Sequence, residues 1–136
     1  MPATLCLMNE TITAAQTAST KTAVAGVARA TAIALECIFT YGSGGTTAKA
    51  WVQTSFDGGT TWVDIANFAH TTASASRAYN LSALTPITTV YTVTDGTLAD
   101  STCKDGLIGD QLRVKFTSTG TYGGSTSVKI CAVLKD

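Results

Sequence analysis

Apolar and polar residues alternate in short runs along this chain. From Ile33, residues Ile33, Leu35, Cys37, Phe39 and Tyr41 fall on one side of an extended segment, and Ala32, Ala34, Glu36 and Thr40 fall on the other. A period of two marks a half-buried strand, because successive side chains point to opposite faces. The same period recurs at 111–117, where Leu112, Val114 and Phe116 oppose Gln111, Arg113 and Lys115. It recurs at 127–134 through Val128, Ile130, Ala132 and Leu134, and at 86–94 through Ile87, Thr89, Tyr91 and Val93. Residues 48–56 and 61–68 flank Asp57-Gly58-Gly59-Thr60, a strong hairpin-turn signal. Weaker strand patterns cover 3–8, 10–15, 22–27 and 77–81, and loops are expected at 42–47, 69–76, 95–110 and 119–125. The Ala-rich stretch 13–34 predicts no helix, since it is dense in Thr, carries Gly26 and lacks the charge pairs of a surface helix.

About 8–10 short strands with turns between them predict an all-β fold, an antiparallel and jelly-roll-like β-sandwich. One domain is expected over 1–136, with Ile33, Leu35, Phe39, Val52, Val63, Ile65, Leu112, Val114, Phe116, Val128 and Ile130 inside. Residues 1–22 read as an extended N-terminal arm, because Thr11, Thr13, Thr17, Thr20 and Thr22 are interspersed with small Ala.

Composition sharpens this picture. The 136 residues include 26 Thr, 20 Ala, 12 Gly and 10 Ser, and only 13% are charged, with no net charge. Thr favours strands and Gly supplies turns. A neutral chain has no basic footprint for nucleic acid. No apolar run approaches the roughly 20 residues of a membrane-spanning helix, so no membrane partner is expected. Met1-Pro2-Ala3-Thr4 has neither a positive n-region nor a long apolar h-region, so no cleaved leader is expected. Few charges on a polar surface protect poorly against association, which suggests life inside an assembly.

The candidate chemistry is sparse. Cys6, Cys37, Cys103 and Cys131 form no CxxC and accompany a single histidine, so neither a zinc site nor a disulfide framework is expected, and the thiols read as reduced. His70 reads as a surface histidine in a Thr/Ala/Ser loop, without a nucleophile elbow to serve. The 95–110 loop holds Asp95, Asp100, Asp105 and Asp110, but not in calcium-loop spacing. Asp57 and Asp64 are explained by turn bracing and cross-strand pairing rather than by glycoside hydrolysis. No catalytic residue, cofactor or metal is expected.

Ser55-Phe56-Asp57-Gly58-Gly59-Thr60-Thr61-Trp62 fits the S-x-D-x-G-x-T-W pattern and resembles the Asp box of sialidase-type propellers. In that motif the Ser and Asp brace a turn, so Ser55, Asp57 and Gly59 are assigned to turn bracing. If Phe56 faces Thr61, then Gln53 faces Asp64 and Trp51 faces Ala66. One hairpin face then carries Ala50, Val52, Phe56, Val63 and Ile65, and reads as core. The other carries Lys49, Trp51, Gln53, Trp62, Asp64 and Phe68. Its mix of aromatic and polar groups suits a partner interface. The reading placed ahead of it is that Trp62 braces its own turn and Trp51 covers a loop.

The segment from Trp51 to Ala66 is similar to a W-V-Q-T-S-x-D-G-G-x-T-W-x-D-I-A stretch of small structural proteins of tailed bacteriophages. With its Thr/Ala/Gly-rich β character, the chain resembles the capsid decoration, or cement, proteins. That resemblance implies a homo-oligomer, dimer or trimer, made in the host bacterial cytoplasm. It implies binding to the outside of a shell of HK97-type major capsid protein, at the virion surface, and stabilisation of the expanded shell. The alternative is a phage tail or fibre binding module, recognising carbohydrate through Trp51 and Trp62.

Overall fold

A computed structural model of the chain describes residues 3–136, and every strand pairing in it is antiparallel. Seven strands of eight or nine residues carry the fold: β1 (Ala3–Thr11), β4 (Ala32–Thr40), β6 (Thr47–Ser55), β7 (Val63–His70), β8 (Ala75–Ser82), β9 (Gln111–Thr119) and β11 (Ser127–Lys135). Four two-residue strands complete it: β2 (Ser19–Thr20), β3 (Val24–Ala25), β5 (Ser43–Gly44) and β10 (Tyr122–Gly123). One sheet has the order β1-β11-β4-β8; the facing sheet has the order β2-β9-β6-β7, with β3 also on β9. This is an all-β sandwich, and there is no helix among the described residues.

Alternation in the sequence becomes the core. β4 turns Ile33, Leu35, Cys37 and Phe39 inward, β11 turns Val128, Ile130, Ala132 and Leu134, and β9 turns Leu112, Val114 and Phe116. All eleven residues expected inside are buried. Their burial is the main stabilising term, each large side chain contributing about 1.5–3 kcal/mol relative to exposure.

Apart from the β6–β7 hairpin and the β2–β3 pair, the chain keeps crossing between sheets. β5 and β10 lie on two of these crossings and pair with each other, Tyr122 opposite Gly44 and Gly123 opposite Ser43. The crossings approach so closely that a Cβ at Gly42 would overlap the Gly124 carbonyl. Glycine is required there for space.

Three expectations are corrected. The extended arm is part of the sandwich. Its first two residues lie outside the described residues, but β1 pairs with β11 from Ala3 to Thr11, Ile12 is fully buried, and β2 and β3 pair with β9. The weak strand patterns at 3–8 and 22–27 do fall on β1 and β3, whereas β2 is too short to show a period. The strand expected at 86–94 does not form; the free edge of β7 is taken by Thr94 and by residues 102–104 instead. In the hairpin, Gln53 does face Asp64, but a bulge follows, so Val52 faces Ala66, Trp51 faces Asn67 and Ala50 faces Phe68. The extra residue sends Phe68 into the core, and Phe56, past the end of β6 in the turn, is 55% exposed rather than part of the core.

Candidate functional site

The hairpin turn is fixed by its own side chains. The Ser55 hydroxyl donates to Asp57 Oδ1 at 2.9 Å and accepts from the Gly59 amide at 2.8 Å. Asp57 Oδ1 accepts from the Thr61 amide at 2.9 Å and Oδ2 from the Thr61 hydroxyl at 2.7 Å. Hydrogen bonds from the Thr61 backbone and hydroxyl, then from Ser55, draw the Asp57 carboxyl down to about 2. Gly58 and Gly59 adopt φ of 72° and 97°, a region that other residues avoid. Trp62 Nε1 donates to the Gly59 carbonyl at 3.1 Å, and the Arg113 guanidinium lies 4.2 Å over its ring.

Of the two readings of the outer hairpin face, the one in which Trp62 braces its own turn and Trp51 covers a loop is observed. In place of a partner, the chain covers this face with its own connection between β8 and β9, residues 83–110. Trp51 and Trp62 are 8% and 9% exposed, and Gln53 and Asp64 are fully buried. Only Lys49 remains half-buried at the rim, paired with Asp100 at 3.0 Å. Strands β6 and β7 are therefore buried on both faces over much of their length.

Asp64 anchors this cover. Its Oδ2 accepts from the amides of Gly96, Thr97 and Leu98 at 2.7, 3.0 and 3.1 Å and from the Thr94 hydroxyl at 2.8 Å. Its Oδ1 accepts from Gln53 Nε2 at 2.8 Å. Successive backbone amides turned toward one carboxylate make an anion nest, here filled by the protein itself. Trp51 Nε1 donates to the Leu98 carbonyl at 2.9 Å, and Asn67 Oδ1 accepts from the Ser101 amide at 2.8 Å. Backbone bonds from Asn67 to Thr102 and from Lys104 to Ile65 cap the free edge of β7.

The acidic residues of 95–110 do not converge. Asp95 pairs with Lys115 at 2.7 Å and accepts from Gln53, and Asp105 accepts from Thr85 Oγ1 at 3.2 Å. Burial opposes ionisation of Asp95, but hydrogen bonds from Lys115 and Gln53 outweigh it and hold its carboxyl below the ordinary range. Among the described residues no three His, Cys, Asp or Glu side chains come together as metal ligands would.

His70 is buried rather than at the surface. It stacks on Phe39 at 4.7 Å between ring centroids, with Nε2 3.5 Å from Cys37 Sγ. Burial, helped by Arg77, lowers the imidazole to about 4, and burial pushes the Cys37 thiol up to about 12. At neutral pH both members are uncharged, the opposite of the thiolate–imidazolium pair of a cysteine nucleophile. The pair belongs to the core.

The connection between β8 and β9 also leaves large apolar side chains exposed. Leu84, Ile87, Val90 and Val93 are 75%, 42%, 93% and 57% exposed. With Phe56 they make up all the exposed large apolar side chains among the described residues except Val133. Phe56, Ile87, Val90, Tyr91, Val93 and Leu107 line one shallow cleft. Residues 84–94 contain no charged side chain. Compared with known proteins, the chain matches no family model, no curated protein and no solved structure. The patch escaped the sequence reading because its residues alternate as a strand would. Pro86 and the neighbouring Gly/Asp-rich loop were the signals against that reading.

Proposed function

We propose that this chain is a structural virion protein that attaches to the outside of a phage capsid of HK97-type major capsid protein and stabilises the expanded shell. The observation that carries the reading is the uncharged, largely apolar patch of Phe56, Ile87, Val90, Tyr91, Val93 and Leu107. An exposed patch of this kind marks a contact surface, and the absence of charge on it suits a protein partner rather than a nucleic acid. It is carried on a rigid base, since Asp64, Trp51 and Asn67 fasten the adjoining segment to the hairpin. The capsid as partner rests on the resemblance of the Trp51–Ala66 segment to phage structural proteins. A ligand that prefers the expanded lattice stabilises it by mass action, and a homo-oligomer would multiply weak contacts into firm attachment. The carbohydrate-binding alternative loses its support, because both indoles are buried and their N–H groups are already donated within the chain.

The test is co-sedimentation with expanded shells of the major capsid protein from the same virus. Ile87→Ser with Val90→Ser should weaken attachment by roughly 30-fold, the scale of a hot-spot truncation. Val133→Ser, on the opposite sheet, should leave it unchanged. Equal attachment of all three proteins would sink the proposed contact surface, and no attachment of the wild type would sink the proposed function.

A further inference from the structure

Two of the four cysteines are brought together by the register of the first sheet. Cys6 on β1 lies directly opposite Cys131 on β11. The preceding pair, Leu5 and Ala132, points inward, with Ala132 fully buried and Leu5 packed against the core. Cys6 and Cys131 therefore both project from the outer face, Cys6 exposed and Cys131 half-buried. The register shifts immediately afterwards, between Cys6 and Met8, so the two thiols sit at a bulge in an edge strand. Opposed residues of antiparallel strands have Cα atoms about 4.5–5.5 Å apart, within the roughly 4.4–6.8 Å that a disulfide spans. The Cys131 thiol is held above its usual range by burial and then by Cys6 itself, with Lys129 opposing. The other two thiols are placed differently: Cys37 is sealed in the core, and Cys103 is exposed opposite Ala66 at the capped edge of β7.

We propose that Cys6 and Cys131 form a reversible cross-strand disulfide that locks the edge strand β1 to the sheet under oxidising conditions. The oxidant is a small-molecule disulfide such as oxidised glutathione. Exposed Cys6 gives its proton to water, and its thiolate attacks one sulfur of the oxidant, breaking that S–S bond and releasing one glutathione thiolate. Cys131 then gives up its proton and attacks the Cys6 sulfur of the mixed disulfide, forming the Cys6–Cys131 bond and expelling the second glutathione thiolate. The protein loses two protons and two electrons, and the oxidant becomes two molecules of glutathione. The bond closes a loop containing almost the whole chain, the case in which a cross-link most restricts the unfolded state.

The folded protein is incubated with oxidised glutathione at mildly alkaline pH, then examined by intact mass, peptide mapping and hydrogen exchange. The expected result is a loss of about 2 Da per chain, a linked pair of peptides containing Cys6 and Cys131, and amide exchange in β1 slowed by roughly tenfold. Dithiothreitol should reverse all three. Cys103→Ser should behave like the wild type, whereas Cys131→Ser should retain glutathione as a lasting adduct on Cys6 and show no change in β1. A stable glutathione adduct on Cys6 of the wild type, or a disulfide that includes Cys103, would overturn the proposal.

Discussion

Replacing Asp64 tests whether one carboxylate holds the long β8–β9 connection in place. In the wild type, Oδ2 receives three backbone amides and a hydroxyl, while Oδ1 receives the Gln53 amide. Asn can put its single carbonyl oxygen where Oδ2 was, but its NH2 then faces Gln53 Nε2, donor against donor. The negative charge that strengthened every bond is also lost. Hydrogen bonds to a charged group contribute about 1.5–3 kcal/mol each, and the loop can relax and find water, so Asp64→Asn should cost about 2 kcal/mol. Asp64→Ala removes all the acceptors and should cost about 4 kcal/mol, the range for breaking a buried charged arrangement. The damage should be local first. Native-state hydrogen exchange should show the amides of Gly96, Thr97 and Leu98 opening roughly 30-fold more often in Asp64→Asn, with little change in β4 or β11. Unchanged exchange at those three amides, with a normal denaturation midpoint, would refute the anchoring role.

Two further outcomes follow from the core and the crossings. His70 has a folded value of about 4 against an ordinary 6.5, so on acidification the unfolded chain takes up the proton first. Its contribution is fully present above about pH 6.5 and is lost as pH falls toward 4. The ceiling is about 3 kcal/mol; screening at the cleft the ring borders reduces this to about 2, read as a Tm lower by roughly 6–10 °C. His70→Gln should abolish that slope, and a slope that survives in the variant would assign it to other groups. Gly42→Ala should cost at least about 3 kcal/mol, because the methyl has only the Gly124 backbone to displace; a melting temperature equal to the wild type would contradict the close crossing.

Period-two alternation determined the sandwich by itself. Where the pattern was strong, as at Ile33 to Phe39 or Leu112 to Phe116, both the strand and its inward face follow directly from the side chains, because burying one face leaves a single acceptable register. The turn was legible for the same local reason: Ser55, Asp57 and two glycines satisfy one another within five residues. Face and exposure in the hairpin were not legible. One extra residue in β7 reverses the faces beyond it, which moved Phe68 inward, and no local propensity announces a bulge. The outer face looked like an interface because Trp51, Gln53 and Asp64 are the residues that interfaces use. The partner they meet is the chain's own segment 94–104, some thirty or more positions away in sequence. The cysteine register is decided at the same level. Cys6 and Cys131 stand near opposite ends of the chain, and only the pairing of β1 with β11 makes them neighbours. Local patterns set which residues are strands and which side is apolar; long-range pairing decides what covers what.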